Sequence, residues 1–181
     1  MLMNQSRNRL YRLALCAVFV ALSFVLSMVQ FLSLPFGGSI TLFSMLAASF
    51  CGYFCGAKWG ITAGVALGLL NMVTGSFFYH PVQVVLDYIL AFGCLGLSGF
   101  FRNLKGGLYI GYIVAVSGRF LCSFLSGVVF FAEYAPEGMN PSVYSFVYNI
   151  SYMGVEALLT LAILALSPVR KMLDTLKKMT D

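Results

Sequence analysis

Apolar residues run along this chain in six stretches, at 10–31, 39–57, 60–78, 82–101, 108–132 and 142–166. Each is about twenty residues long, which at a helical rise of about 1.5 Å per residue spans the roughly 30 Å hydrocarbon core of a bilayer. Short breakers separate them: LPFGGS, KWG, YHP, RNLKGG and EYAPEGMNP. The pattern predicts an all-α, polytopic membrane protein, a compact bundle of six transmembrane helices forming one domain over 1–181. The first stretch follows Arg7, Arg9 and Arg12 in the manner of a signal peptide. Its length and the spans after it predict a retained first helix.

Composition agrees. Hydrophobic residues make up 60% of the chain and charged ones 9%, against about 25% charged in soluble domains. The net charge of +5 does not point to nucleic acid, because ten of the eleven basic residues fall in alternate loops and tails. These are Arg7, Arg9, Arg12, Lys58, Arg102, Lys105, Arg170, Lys171, Lys177 and Lys178. The opposite loops carry His80, Glu133 and Glu137. Basic loops face the cytoplasm, so both termini are expected there. The five cysteines lie in apolar surroundings, and Cys51 and Cys55 stand at i, i+4 with no histidine nearby, so they read as small core residues. No phosphate-binding loop, metal-ligand cluster or nucleophile–base pair stands out, and no cofactor is expected.

Three ionisable residues lie inside spans: Asp87, Arg119 and Glu156. By helix rise, Arg119 and Glu156 are each about 20 Å from the outer ends of their helices, and Asp87 only about 9 Å. Charges in lipid pair with one another, so Arg119 and Glu156 are expected to form a structural buried pair. Asp87 shares a helical stripe with Gln83, Ala91, Cys94 and Ser98. It serves either as a structural counter-ion or as a ligand contact. Ser123 and Gly127 follow Arg119 on one face, and Ser145, Asn149 and Tyr152 precede Glu156 on another. Tyr144 and Asn149 are about 140° apart on an ideal helix, so for both to face one pocket it must be wide. Tyr79, Tyr88, Phe131 and Tyr144 add aromatic surface, and an anion among aromatic faces suits a small organic cation. Ala17 and Ala21 make a small-xxx-small pair on the first helix. Ser39 is a candidate cap for the second helix. Glycines 52, 56, 60, 64 and 68 suit close packing of the second helix on the third.

Four segments, SLPFGGSITLFSML, HPVQVVLDYILAFGCLGLSG, GVVFFAEYAPEG and YSFVYNISYM, together resemble the thiamine-specific substrate-binding subunits of energy-coupling factor (ECF) transporters. The resemblance extends from residue 14 to about 156. It implies a vitamin site near the outer surface of a prokaryotic cell membrane. It also implies a transmembrane coupling subunit meeting Ala17 and Ala21, and two ATPase subunits. The family's binding positions fall on Asp87, Tyr88, Gly127, Phe131, Tyr144 and Asn149. Family members carry a histidine where this chain has Ser123, which hydrogen-bonds but does not stack. The residues alone leave rivals open: a self-sufficient secondary carrier, a substrate-binding subunit for another small cationic vitamin, and an intramembrane enzyme.

Overall fold

Seven helices and a small hairpin make up the computed structural model, which describes residues 2–75 and 80–180. In chain order they are α1 (Leu2–Met28), strands β1 (Gln30–Ser33) and β2 (Ser39–Thr41), α2 (Ser44–Cys55), α3 (Ala57–Gly75), α4 (Pro81–Phe101), α5 (Gly107–Phe130), α6 (Pro141–Ala165) and α7 (Ser167–Thr180). The first six form the bundle. Four helices, over Arg9–Met28, α4, α5 and α6, are long and apolar enough to cross a membrane, and α2 is a shorter apolar helix. Polar side chains turn inward, with Ser23, Ser49, Gln83, Ser98 and Ser126 buried, while Leu13, Val18, Val25, Val129 and Leu158 are exposed. That distribution suits a molecule whose surroundings are hydrocarbon.

Helix starts follow their local chemistry. Pro81 and Pro141 take first-turn positions, where a missing N–H costs nothing. The His80 ring accepts from Val82 N at 3.2 Å, and Asn140 Oδ1 accepts from Ser142 N at 2.8 Å. The basic tail is itself a helix. Leu173 buries, Arg170 Nε donates to Tyr109 Oη at 2.8 Å, and the Lys177 ammonium lies 5.3 Å from the Tyr53 ring.

The second span departs from expectation. The sequence pattern runs helices through 31 and from 39, yet residues 30–41 form an antiparallel hairpin with an irregular register between Gln30 and Leu32. Pro35 removes an amide donor, Gly37 takes φ 94°, and Phe36 at the tip takes φ 63°. Ser39 sits in β2 and caps nothing. α2 opens instead after Phe43 at φ 57° with no side chain of its own at the cap.

Glu156, from α6, supplies that cap across the bundle. Its carboxylate accepts from Met45 N at 3.2 Å, one of the first-turn donors that a helix cannot satisfy internally. It also accepts from Thr41 N at 2.9 Å and Thr41 Oγ1 at 2.7 Å. Thr41 Oγ1 and Ser44 Oγ are 2.6 Å apart, and Ser23 Oγ donates to Ser44 O at 2.7 Å. The expected pairing of Glu156 with Arg119 is therefore corrected. The carboxylate is given to α2 and β2, and the Arg119 guanidinium lies 4.3 Å from the centroid of the Phe92 ring.

The glycine ladder packs against more than its predicted partner. A methyl group at Gly60 would fall on Gly52 of α2 and Gly96 of α4, at Gly64 on the Phe92 carbonyl, and at Gly68 on the Tyr88 carbonyl. Thus α3 lies backbone to backbone against α4, and at Gly60 against α2 as well. α4 is not uniform. It opens into a π-helical turn over Val85–Leu90 and tightens to a 3-10 turn over Leu95–Phe101. α6 has a second π-turn over Ile150–Gly154. Such turns carry an extra residue and re-aim the side chains after them.

Two outcomes follow. Gly68→Ala should destabilise the protein by about 1–3 kcal/mol, as overpacking does, whereas Gly93→Ala should be close to neutral. A methyl there meets nothing nearer than Val65 Cγ2 at 3.5 Å. Equal melting temperatures for the two variants in detergent would refute the contact. Glu156→Ala should cost about 1–3 kcal/mol for each buried donor left unpaired. Adding Arg119→Ala should not rescue it, and rescue in the double variant would restore the ion-pair reading.

Candidate ligand cavity

A cavity of about 470 Å³ opens between the hairpin, the start of α2, and the ends of α4, α5 and α6 nearest to it. Asp87, Tyr88, Ser123, Gly127, Phe131, Tyr144 and Asn149 all line it, as do Arg119 and Glu156. Tyr79 lies outside the described residues. Seven positions spread over three helices are thus gathered into one wall, and the cavity is wide enough to take in both Tyr144 and Asn149.

Asp87 stands in the π-turn of α4, and its Oδ2 accepts from the buried Ser126 Oγ at 2.6 Å. Arg119 is close enough to act on its charge, as is the Gln83 amide one turn earlier. The aspartate is therefore not without company, as the helix depths alone suggested. Tyr88 and Phe92 lie nearly parallel with ring centroids 6.4 Å apart, and Arg119 covers Phe92. A guanidinium, two rings and a carboxylate thus make up one side of the cavity.

Gly127 sets how closely α5 and α6 approach. A methyl there would meet Ser145 Oγ, which donates to Phe124 O at 2.8 Å. That contact brings Asn149 against α5. Its Nδ2 donates to Ser145 O at 2.9 Å and more weakly to Ser123 O at 3.4 Å, and its Oδ1 accepts from Tyr152 Oη at 2.9 Å.

The hairpin crosses the cavity. The Phe36 ring lies 4.3 Å from Tyr134 and 5.9 Å from Phe131. Tyr148 Oη donates to Pro35 O and accepts from Gly38 N at 2.9 Å, tying the hairpin tip to α6. Phe36, Asn71, Thr74, Tyr148 and Tyr152 join the lining without having been picked out as site residues by the sequence reading. Tyr148 had a findable signal, since Tyr144, Tyr148 and Tyr152 repeat at i, i+4, i+8. Phe36 lay in the LPFGGS break between spans, a segment whose glycines suggested either a turn or an approach to a ligand, but spacing could not show which rings it meets.

The cavity offers carboxylates, one guanidinium, amides, hydroxyls and ring faces, which suits binding of a small polar aromatic or cationic molecule. The one histidine caps α4 and stacks on Phe130 with centroids 5.4 Å apart.

The chain also has recognisable relatives. It is 37% identical over 167 residues to the thiamine transporter ThiT of Bacillus subtilis (strain 168), an overlap of 83% of this chain and 86% of that one. It is 31% identical over 110 residues to the thiamine transporter ThiT of Lacticaseibacillus paracasei, covering 51% and 53%. The solved structure of ThiT from Listeria monocytogenes superposes with a TM-score of 0.72 at 27% identity, covering 88% of this chain and 96% of that one. Residues 13–175 match the family described as thiamine transporter protein (Thia_YuaJ), and the chain, a multi-pass membrane protein and a transport subunit rather than an enzyme, belongs to that family.

Proposed function

We propose that the protein is the high-affinity thiamine-binding subunit of an ECF-type importer, taking the vitamin from outside into the cavity beneath the hairpin. The observation that carries this reading is the placement of Asp87 beside the Tyr88–Phe92 stack. A carboxylate next to ring faces suits the positive thiazolium, and the amide and hydroxyls of α6 suit the aminopyrimidine. The names of the relatives support thiamine as the ligand. The distribution of basic residues supports cytoplasmic termini, with the cavity facing out. On this reading partner subunits supply the ATPase activity that drives uptake.

α1 supplies a face for such a partner. Ala17 and Ala21 are exposed, and Leu13, Val18, Leu22 and Val25 around them are uncovered by the rest of the bundle. Small residues let another helix approach closely in lipid.

Asp87→Asn preserves shape and removes charge. It should weaken thiamine binding by about 2–5 kcal/mol, as loss of a desolvated charge contact does, with the melting temperature little changed. Calorimetry on the purified chain measures this, and unchanged affinity would make Asp87 a structural residue. Ala17→Leu or Ala21→Leu should abolish uptake in cells and leave thiamine binding to the isolated subunit intact. Uptake by the purified chain alone, without ATPases, would favour the secondary carrier. For orientation, a cysteine at Glu137 in an otherwise cysteine-free chain should react with an impermeant thiol reagent in intact cells. Labelling at Lys105 instead would invert the molecule.

A further inference from the structure

The end of the bundle away from the cavity holds a feature that ligand binding does not use. Cys51 and Cys55, one turn apart on α2, meet Cys16 of α1, and their three sulfur atoms all lie within 4.8 Å of one another. Cys16 Sγ and Cys51 Sγ are 2.8 Å apart. All three side chains are buried. Cys55 lies ten residues past Met45 at the cavity, about 15 Å along the helix. The i, i+4 pair alone resembles no metal motif. The third thiol comes from a helix 35 residues earlier in the sequence, which is why spacing did not reveal the cluster.

We propose that Cys16, Cys51 and Cys55 form a three-thiolate site for copper(I). Geometry comes first. Three sulfurs each about 2.3 Å from one ion in a plane stand about 4 Å apart, so small side-chain rotations that open the Cys16–Cys51 contact form the triangle. Ligand type comes second. Among the described residues no histidine, aspartate or glutamate joins the cluster. The nearest carbonyls, Trp59 O and Arg12 O, are 3.9 and 4.0 Å from Cys51 and Cys55 sulfurs, too far to ligate. An all-sulfur, three-coordinate set selects copper(I) over zinc, which takes a fourth ligand.

Charge is the third argument. Three thiols lose three protons to solvent as three S–Cu bonds form, leaving a complex of charge −2. A cation stands at the end of α2 that carries Cys55. Arg102 Nη1 lies 3.5 Å from where a side chain on Gly56 would begin. Gly56, at φ 99°, makes the α2–α3 turn directly beside Cys55. A bound ion would staple α1 to α2 at the level of Ala17, on the opposite side of α1 from its exposed face.

The test uses the full chain, purified in detergent, fully reduced and free of oxygen, titrated with copper(I) against a chromophoric copper(I) chelator. The expected result is one tightly held copper per chain, with three sulfur neighbours and no nitrogen by X-ray absorption. Cys51→Ser should lower copper affinity about 100-fold or more, since losing even a group outside the ligand ring costs about 10–100-fold. Cys55→Ser should give the same loss, and circular dichroism checks that both variants fold. The double variant Cys94→Ser, Cys122→Ser should bind as the parent does. Copper lost to the chelator at stoichiometric concentration, retention unchanged in Cys51→Ser and Cys55→Ser, or nitrogen ligands in the absorption spectrum would overturn the site. So would a chain isolated from cells with Cys16 and Cys51 joined as a disulfide.

Discussion

A single carboxylate holds the upper half of this bundle together. Glu156 accepts from the β2 amide and hydroxyl of Thr41 and from the first turn of α2, so it closes the hairpin, starts a helix and lines the cavity at once. In a low-dielectric interior the two backbone donors would otherwise lose this partner, at a cost of a few kcal/mol. The anion also lies at the positive end of the α2 dipole. The charge that looked like half of an ion pair is an N-cap supplied from another helix. Arg119 is thereby left to the cavity wall, over Phe92.

The lower constraint is steric. Three glycines of α3 let the backbone of α4 come to contact distance at Tyr88, Phe92 and Gly96. Side chains on α4 that face away from α3 are pushed toward the cavity, and the π-turn at Val85–Leu90 turns Asp87 toward Ser126 of α5. α6 has its own π-turn just before Glu156. Both acidic groups thus emerge from locally widened helix, where a regular α-helical wheel misplaces them.

The sequence made membrane character, span order and most of the cavity wall legible, because these depend on composition and on helical spacing. Hydrophobicity located the spans near 82–101, 108–132 and 142–166 to within a few residues of α4, α5 and α6. It misassigned 30–31 and 39–41, which belong to strands of the hairpin rather than to helices, while 32–38 fell in the break between spans. Period counting cannot separate the two in so short an apolar run. Depth along the helix suggested Arg119 and Glu156 as partners, and both do line one cavity. It could not reveal that Thr41 and Met45 reach the same level from a neighbouring chain segment and compete for the carboxylate. The cysteine triangle escaped for the same reason, since helix-to-helix neighbours are a property of packing and not of spacing.

Several polar groups around the cavity are already engaged with one another. Asn149 holds Tyr152 and Ser145, Asp87 holds Ser126, and Tyr148 holds the hairpin. Entry of a guest is therefore an exchange, in which each internal bond broken must be replaced by one of equal quality. A molecule of similar size that lacks one matching donor or acceptor leaves an amide or carboxylate stranded out of water, a defect that enzymes and binders turn into discrimination of about 10⁴–10⁵-fold. Selectivity in such a site arises as much from what the wall refuses to leave unsatisfied as from what it attracts.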